Sequence, residues 1–286
     1  MLLHLSAAAY GETESRDETL PLEDEWSRVS TLSVEADFLN NACAGYIVAS
    51  KKRKKAIIVF RGTKSVEQLL LEAWWSREMG NDFYGMGRVH EYFRNALDAM
   101  WKQISYFLNR PSYKGHSLGG ALASLAAAKT VKNGYRPASK VKLYTFGQPR
   151  TGSYKFAQNF DAFEIESYRI VFRKDSVPHM PECKVDLRTA ANENGAKTCL
   201  PGDNDAYYHH GTEIWYESSM TTDSQFIKCD GNPKNEDFNC SNQYSYPFFN
   251  RYIEQNFWDH RHYFDVSLSN FGKSGCANRV KKPDPE

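Results

Sequence analysis

Hydrophobic positions along this chain fall in short runs whose spacing alternates between two residues and about 3.6 residues. Residues 46–50 and 56–60 are apolar runs joined by Lys51-Lys52-Arg53-Lys54-Lys55. They predict a β-hairpin with a basic, solvated tip. The basic run alone also resembles a nuclear localisation signal or an anionic-lipid patch, but the flanking strands favour a turn. Residues 65–75 carry Leu69, Leu70, Leu71, Trp74 and Trp75 at helical spacing, which on periodicity reads as a core helix. Residues 89–108 place Phe93, Leu97, Trp101 and Ile104 on one face of a long helix. Strands are predicted over 141–146, 167–172 and 213–216, and a loop over 80–87. Two polar stretches, 182–207 and 218–246, are bracketed by cysteines. A last helix over 248–257 leads into Trp258-Asp259-His260-Arg261-His262-Tyr263-Phe264, and residues 1–10 open an amphipathic helix. Strands and helices alternating in this way predict an α/β fold, with a mostly parallel central sheet and helices on both faces. No repeat or linker interrupts the pattern, so residues 1–286 are expected to form one domain.

Composition narrows the class. With 41% hydrophobic residues a sizeable core is available, and a net charge of +1 gives no bias toward nucleic acid. No run of 18 apolar residues occurs, so no transmembrane helix is expected. The 17 Tyr, 17 Phe and 6 Trp suit core packing or contact with a greasy or planar substrate. Residues 1–10 are too short for a signal peptide and lack a basic start.

The 6 cysteines include no C-x-x-C pair, which argues against zinc. Cys183 with Cys199, and Cys229 with Cys240, each close a polar loop, which leaves Cys43 with Cys276. Six buried free thiols are the alternative. The even count and the sequon Asn239-Cys240-Ser241 point to an oxidising compartment. A secreted monomer is expected, its targeting signal outside these residues.

Candidate chemistry centres on Gly115-His116-Ser117-Leu118-Gly119-Gly120, a G-x-S-x-G sequence followed at once by an Ala-Leu-rich helix former. A serine hydroxyl becomes a nucleophile only with a base beside it and a backbone that holds it out. A sharp strand-to-helix turn supplies the second condition. Asp175 follows a predicted strand and His260 comes late, so Ser117, Asp175 and His260 stand in the order of α/β serine hydrolases. His260 would take the serine proton, and Asp175 would hold the imidazole. His262, two residues on, competes with His260; Asp161 and Asp186 compete with Asp175. Oxyanion donors are expected from the backbone of Leu118 and from Thr63, at the turn Val59-Phe60-Arg61-Gly62-Thr63.

These residues resemble the class 3, or fungal-type, lipases. The resemblance is carried by Arg61-Gly62-Thr63, the Gly115–Ala123 stretch, Phe146-Gly147-Gln148-Pro149-Arg150, Asp175-Ser176-Val177-Pro178-His179-Met180-Pro181 and His260-x-x-Tyr263-Phe264. The cysteines resemble those of the secreted animal branch. The resemblance implies an α/β-hydrolase fold, a triad of Ser117, Asp175 and His260, and an oxyanion hole of Thr63 and Leu118. It implies a lid within residues 65–83 that opens onto an oil–water or membrane interface. The implied activity is hydrolysis of lipid esters, triacylglycerols first, through an acyl-serine intermediate that needs no metal or cofactor. Phospholipase or aromatic-ester esterase activity on the same scaffold is the rival, as is an inactive lipase-like binding protein.

The chain departs from the family before the elbow. Only Ser112-Tyr113-Lys114 stand between Pro111 and Gly115, and Tyr113 alone is a good strand former. The central strand is expected to be truncated, with residues 105–108 as a candidate replacement.

Overall fold

A computed structural model of the chain describes residues 2–11, 25–35, 42–62, 79–108, 111–221, 223–231, 233–246, 253–274 and 276. Helix α1 (Leu2–Ala8) precedes an antiparallel meander of β1 (Ser27–Glu35), β2 (Ala42–Ser50) and β3 (Lys55–Phe60). The pair β4 (Met79–Asp82) and β5 (Arg88–His90) leads into α2 (Glu91–Ser105). Then come β6 (Pro111–His116), α3 (Leu118–Lys132), β7 (Lys142–Phe146), β8 (Gly152–Ser153), α4 (Tyr154–Asp161) and β9 (Glu166–Phe172). The last third holds β10 (Tyr207–Tyr208), β11 (Thr212–Tyr216) and β12 (Ile227–Cys229). It ends with α5 (Ile253–Arg261), β13 (His262–Tyr263), β14 (Val266–Ser267) and α6 (Leu268–Lys273).

The main sheet runs β1-β2-β3-β6-β7-β9-β11-β12. Its five middle strands, β3 to β11, are parallel, and the outer strands are antiparallel. This is the mostly parallel α/β sheet that the alternation predicts, and it agrees with the α/β-hydrolase fold that the resemblance implies. Successive side chains enter opposite faces. Ile58, Phe60, Tyr113 and Leu143 pack with α2 and α3 on one face. Ile57 and Val59 face the other way, against Leu5, Ala8 and Ala9. Helix α2 buries Phe93, Leu97, Met100 and Ile104 along one stripe. Helix α3 is buried through Thr130, and its alanines let it lie close against the sheet.

The central strand corrects the sequence reading. β6 pairs with β3 from Pro111↔Ala56 to Gly115↔Phe60, and with β7 from Ser112↔Lys142 to His116↔Phe146. It has 6 residues, as β3 does. A first-residue proline needs no ladder N–H, and Gly115 and His116 of the elbow are themselves ladder residues. Pairing on both sides therefore overrides weak local propensity. Residues 105–108 form no replacement strand: α2 runs to Ser105, and Phe107 N–H donates to Ile104 O in a turn.

Thr63 and residues 65–78 of the lid candidate lie outside the described residues. The remainder, 79–83, belongs to the body of the fold. Met79–Asp82 is β4, and Phe83 is fully buried with its ring against Phe156.

Disulfides join Cys183 to Cys199 and Cys229 to Cys240, whereas Cys43 and Cys276 are not disulfide-bonded and keep their thiols. The expected Cys43–Cys276 bond fails because of the strand pleat. Cys43 enters the α2–α3 face, with its Sγ 3.5 Å from the Tyr92 hydroxyl. Cys276 packs against the clusters on the α1 face. Side chains on opposite faces of a sheet cannot meet disulfide geometry without moving backbone. Unreduced protein in denaturant is expected to titrate two thiols; a count of zero would restore the third disulfide. In the native state both should react slowly, since Cys43 is buried and burial raises the Cys276 thiol to about 11.

Candidate active site

The turn from β6 into α3 needs two glycines. A Cβ on Gly115 would lie 2.0 Å from Gly119 O, and one on Gly119 would lie 2.3 Å from Phe60 O. Between them Ser117 takes φ 59° and ψ −131°, a conformation costly for any L side chain. Its backbone is pinned by Ser117 N–H donating to Phe146 O at 2.9 Å. The strain turns the residue out at the C-terminal end of the fourth strand of eight, where open α/β sheets place their sites. Leu118 is the first residue of α3, and first-turn N–H groups lack partners within their helix. Gly62, which precedes Thr63, lies against the elbow: a Cβ there would come 3.1 Å from Ser117 Cβ.

Asp175 and His260 meet behind the elbow, where the His260 ring stacks on that of His116, the residue before Ser117. His260 Nδ1 lies 2.9 Å from both carboxylate oxygens of Asp175, and both residues are fully buried. A carboxylate only accepts, so Nδ1 carries the proton and Nε2 is left with its lone pair. Neither His260 Nε2 nor Ser117 Oγ has a hydrogen-bond partner among the described residues. Gly147 lies directly behind the pair, since a Cβ there would fall 2.6 Å from Asp175 Oδ2 and 2.8 Å from His260 Nδ1. The rival residues lie elsewhere. His262 donates from Nδ1 to Trp258 O and stacks on the Trp258 ring. Asp161 accepts from Gly211 N–H and the Asn235 amide, and Asp186 pairs with Arg188.

Three side chains support the pair, and of these only His116, inside the elbow, is expected from the sequence to stabilise it by hydrogen bonding. The Tyr263 hydroxyl donates to Asp175 Oδ2 at 2.5 Å, and Val177 N–H donates to Oδ1 at 2.9 Å. The His-x-x-Tyr spacing was the available signal for Tyr263. Behind His260 lies His116, its ring stacked at 4.6 Å between centroids. His116 Nε2 donates to His260 O at 2.8 Å, which leaves Nδ1 to accept from the Tyr10 hydroxyl at 2.7 Å. Burial, reinforced by His260, holds the His116 imidazole neutral down to about pH 3. Tyr10 follows α1, so the N-terminal helix reaches the back of the site.

Arg150 is the third support. Its fork grips both oxygens of buried Glu236 at 2.7 and 2.8 Å, while Nη1 donates to His179 O and Pro181 O. It thereby anchors the turn that follows Asp175. Removing one partner of such a buried pair typically costs about 3–5 kcal/mol. Asp259, next to His260, is pushed up to about 7 by burial, against the pull of Lys174 N–H and Arg173.

The arrangement is suited to nucleophilic displacement at an acyl group, and comparison with known proteins agrees. The family described as Lipase (class 3) matches residues 57–185. A lipase of Caenorhabditis elegans, ZK262.3, is 42% identical over 287 residues, covering 96% of this chain and 81% of that protein. A lipase of Rhizopus niveus is 28% identical over 78% of this chain, which spans about half (51%) of that relative. A solved structure, described as a triacylglycerol lipase whose catalytic centre is a serine protease triad, superposes with a TM-score of 0.69. It is 22% identical, over 94% of this chain and 93% of that one. The chain belongs to the class 3 lipase family and is a carboxylic ester hydrolase.

Proposed function

We propose that the chain hydrolyses acylglycerol esters at a lipid–water interface, through an acyl intermediate on Ser117. The observation that carries this reading is the strained elbow at Ser117, whose preceding residue His116 stacks on a histidine held at Nδ1 by Asp175. His260 Nε2 takes the Ser117 proton as Oγ attacks the ester carbonyl. The oxygen that becomes negative accepts hydrogen bonds from Leu118 N–H and from Thr63; losing one such donor typically costs about 3–4 kcal/mol. The C–O bond to the alcohol breaks as His260 returns the proton to the leaving oxygen. Water, activated by the same imidazole, then releases the fatty acid and restores Ser117. Tyr263 and Arg150 act as positioning residues, through Asp175 and its turn.

The substrate class draws support from relatives named as lipases and from the apolar Leu and Trp residues within 65–78, which suit a lid. The two disulfides support an extracellular location. A single sheet spanning Ser27 to Cys229 supports one domain. Hydrolysis of tributyrin, measured across its solubility limit, tests the proposal, with triolein emulsion, phosphatidylcholine and a feruloyl ester alongside. The expected result is a steep rate gain once emulsion forms, and faster turnover of triolein than of the other two. Preference for phosphatidylcholine or the feruloyl ester would overturn the acylglycerol reading. A smooth curve through the solubility limit would overturn the lid.

A further inference from the structure

At the end of the sheet remote from Ser117, the first residues of β3, β6 and β7 border a cavity of about 410 Å³. It opens on the α1 face, because Lys114 alternates with Tyr113, which enters the α2–α3 core. Ser112, Lys114 and Tyr144 line it from the sheet, and Trp26 forms a wall. Arg53, Lys55, Lys140 and Lys142 bring further positive charge to its lining. Two of these cations are balanced: Arg53 by Glu25 at 2.7 Å and Lys142 by Glu166 at 2.5 Å. Lys55, Lys114 and Lys140 have no carboxylate partner among the described residues.

Lys114 is the unusual member. It is only 1% exposed, in the middle of a parallel sheet where an aliphatic residue would pack better. Its Nζ donates to Ser112 Oγ at 3.2 Å and sits 4.4 Å from the centre of the Tyr144 ring. An ammonium has three N–H donors, and a buried one without a counter-charge is costly. A bound anion would supply the missing charge.

We infer that this cavity binds a phosphate group carried on a small organic body, with Lys114 beneath it and Lys55 and Lys140 at its sides. Lysine is a point-charge binder of phosphate, and three uncompensated lysines suit a phosphate monoester, which carries −1.5 to −2 at neutral pH. The hydroxyls of Ser112 and Ser139 offer further donors. The cavity exceeds a bare phosphate, and Trp26 and Tyr144 leave an aromatic wall for the attached body. The phosphate could belong to a lipid headgroup or to a soluble ester.

The site predicts its own pH dependence. Burial, then Lys142, lowers the Lys114 ammonium to about 7, while Glu166 opposes them. Arg53 and Lys55 from the hairpin, Lys140, and Tyr144 from β7 complete the charged and titratable groups around it. A bound dianion favours the ammonium form, so binding takes up a proton and weakens as pH rises above 7. The limit is about tenfold per pH unit.

Calorimetric titration of the full chain with phenyl phosphate at pH 7.5 and 8.5 tests the inference, with phosphatidic acid and phosphatidylcholine vesicles as lipid arms. One saturable site is expected, several-fold weaker at pH 8.5, lost in Lys114→Met and weakened in Lys140→Ala. Lys140→Ala should keep wild-type hydrolysis of a soluble ester, and Lys114→Met should melt no lower than wild type. Binding of phenyl phosphate assigns the site to soluble esters. Lys114-dependent binding confined to phosphatidic acid vesicles assigns it to a headgroup. Absence of binding to every probe, or binding that survives Lys114→Met, would overturn the inference.

Discussion

Ser117→Ala is expected to lower kcat for ester hydrolysis by about 10⁶-fold while leaving the fold intact. Loss of the nucleophile in a serine hydrolase removes the covalent route, and removing further triad members adds little because they act as a unit. What survives is the roughly 10³-fold advantage over water that oxyanion donors and substrate binding provide. The structural cost should be small. Ser117 Oγ has no hydrogen-bond partner among the described residues, so its removal orphans no buried group there. The strain at φ 59° falls on alanine as it falls on serine. The melting temperature should stay within a few degrees of wild type. A pH-stat assay and a thermal melt on the same preparation check both parts. Retention of more than a hundredth of the wild-type rate with an unchanged melt would remove Ser117 from the mechanism. It would return His260 and Asp175 to a purely structural role.

How much of this was legible in the sequence depends on the range of each interaction. The elbow is local, since Gly115, Ser117 and Gly119 with the alanines after them specify one turn and one helix. The hairpin around Lys51 to Lys55 is local too. Asp175 and His260 could be named because chain order limits the candidates, although a separation of 85 positions hides their contact. β6 was misread because propensity judges Pro111, Ser112, Lys114 and Gly115 alone. In the fold Ser112, Lys114 and Gly115 each pair with β3 on one side and β7 on the other, and Pro111 pairs with β3. The Cys43–Cys276 pairing came from elimination, which cannot see that two side chains lie on opposite faces of one sheet. Tyr10, which reaches His116 across 106 positions, and Glu236, which reaches Arg150 across 86, left no local trace.

Asp175→Asn and Tyr263→Phe should move the enzyme in opposite directions along the pH axis, and the first should lower kcat by about 10⁴-fold. Asp175 accepts three hydrogen bonds, from His260 Nδ1, Tyr263 and Val177 N–H. Asparagine offers one acceptor oxygen and a two-donor nitrogen. With the oxygen kept for Val177 N–H, the NH₂ group confronts Tyr263 and His260. Tyr263 can turn its hydroxyl to accept. His260 can accept only by moving its proton to Nε2, and that tautomer cannot take the Ser117 proton. The imidazolium formed during the reaction also loses its counter-charge, so the acidic limb of kcat should move to lower pH. Tyr263→Phe instead removes a donor that draws off carboxylate charge. Asp175 then faces the imidazolium more strongly, and the acidic limb should move to higher pH with about a tenfold loss of kcat. A merely structural role for Tyr263 would lower stability and leave the limb in place. Full pH profiles of both variants therefore separate positioning of the carboxylate from general damage to the site. Limbs that moved together, or stayed still, would show that Asp175 does not act on His260 through its charge.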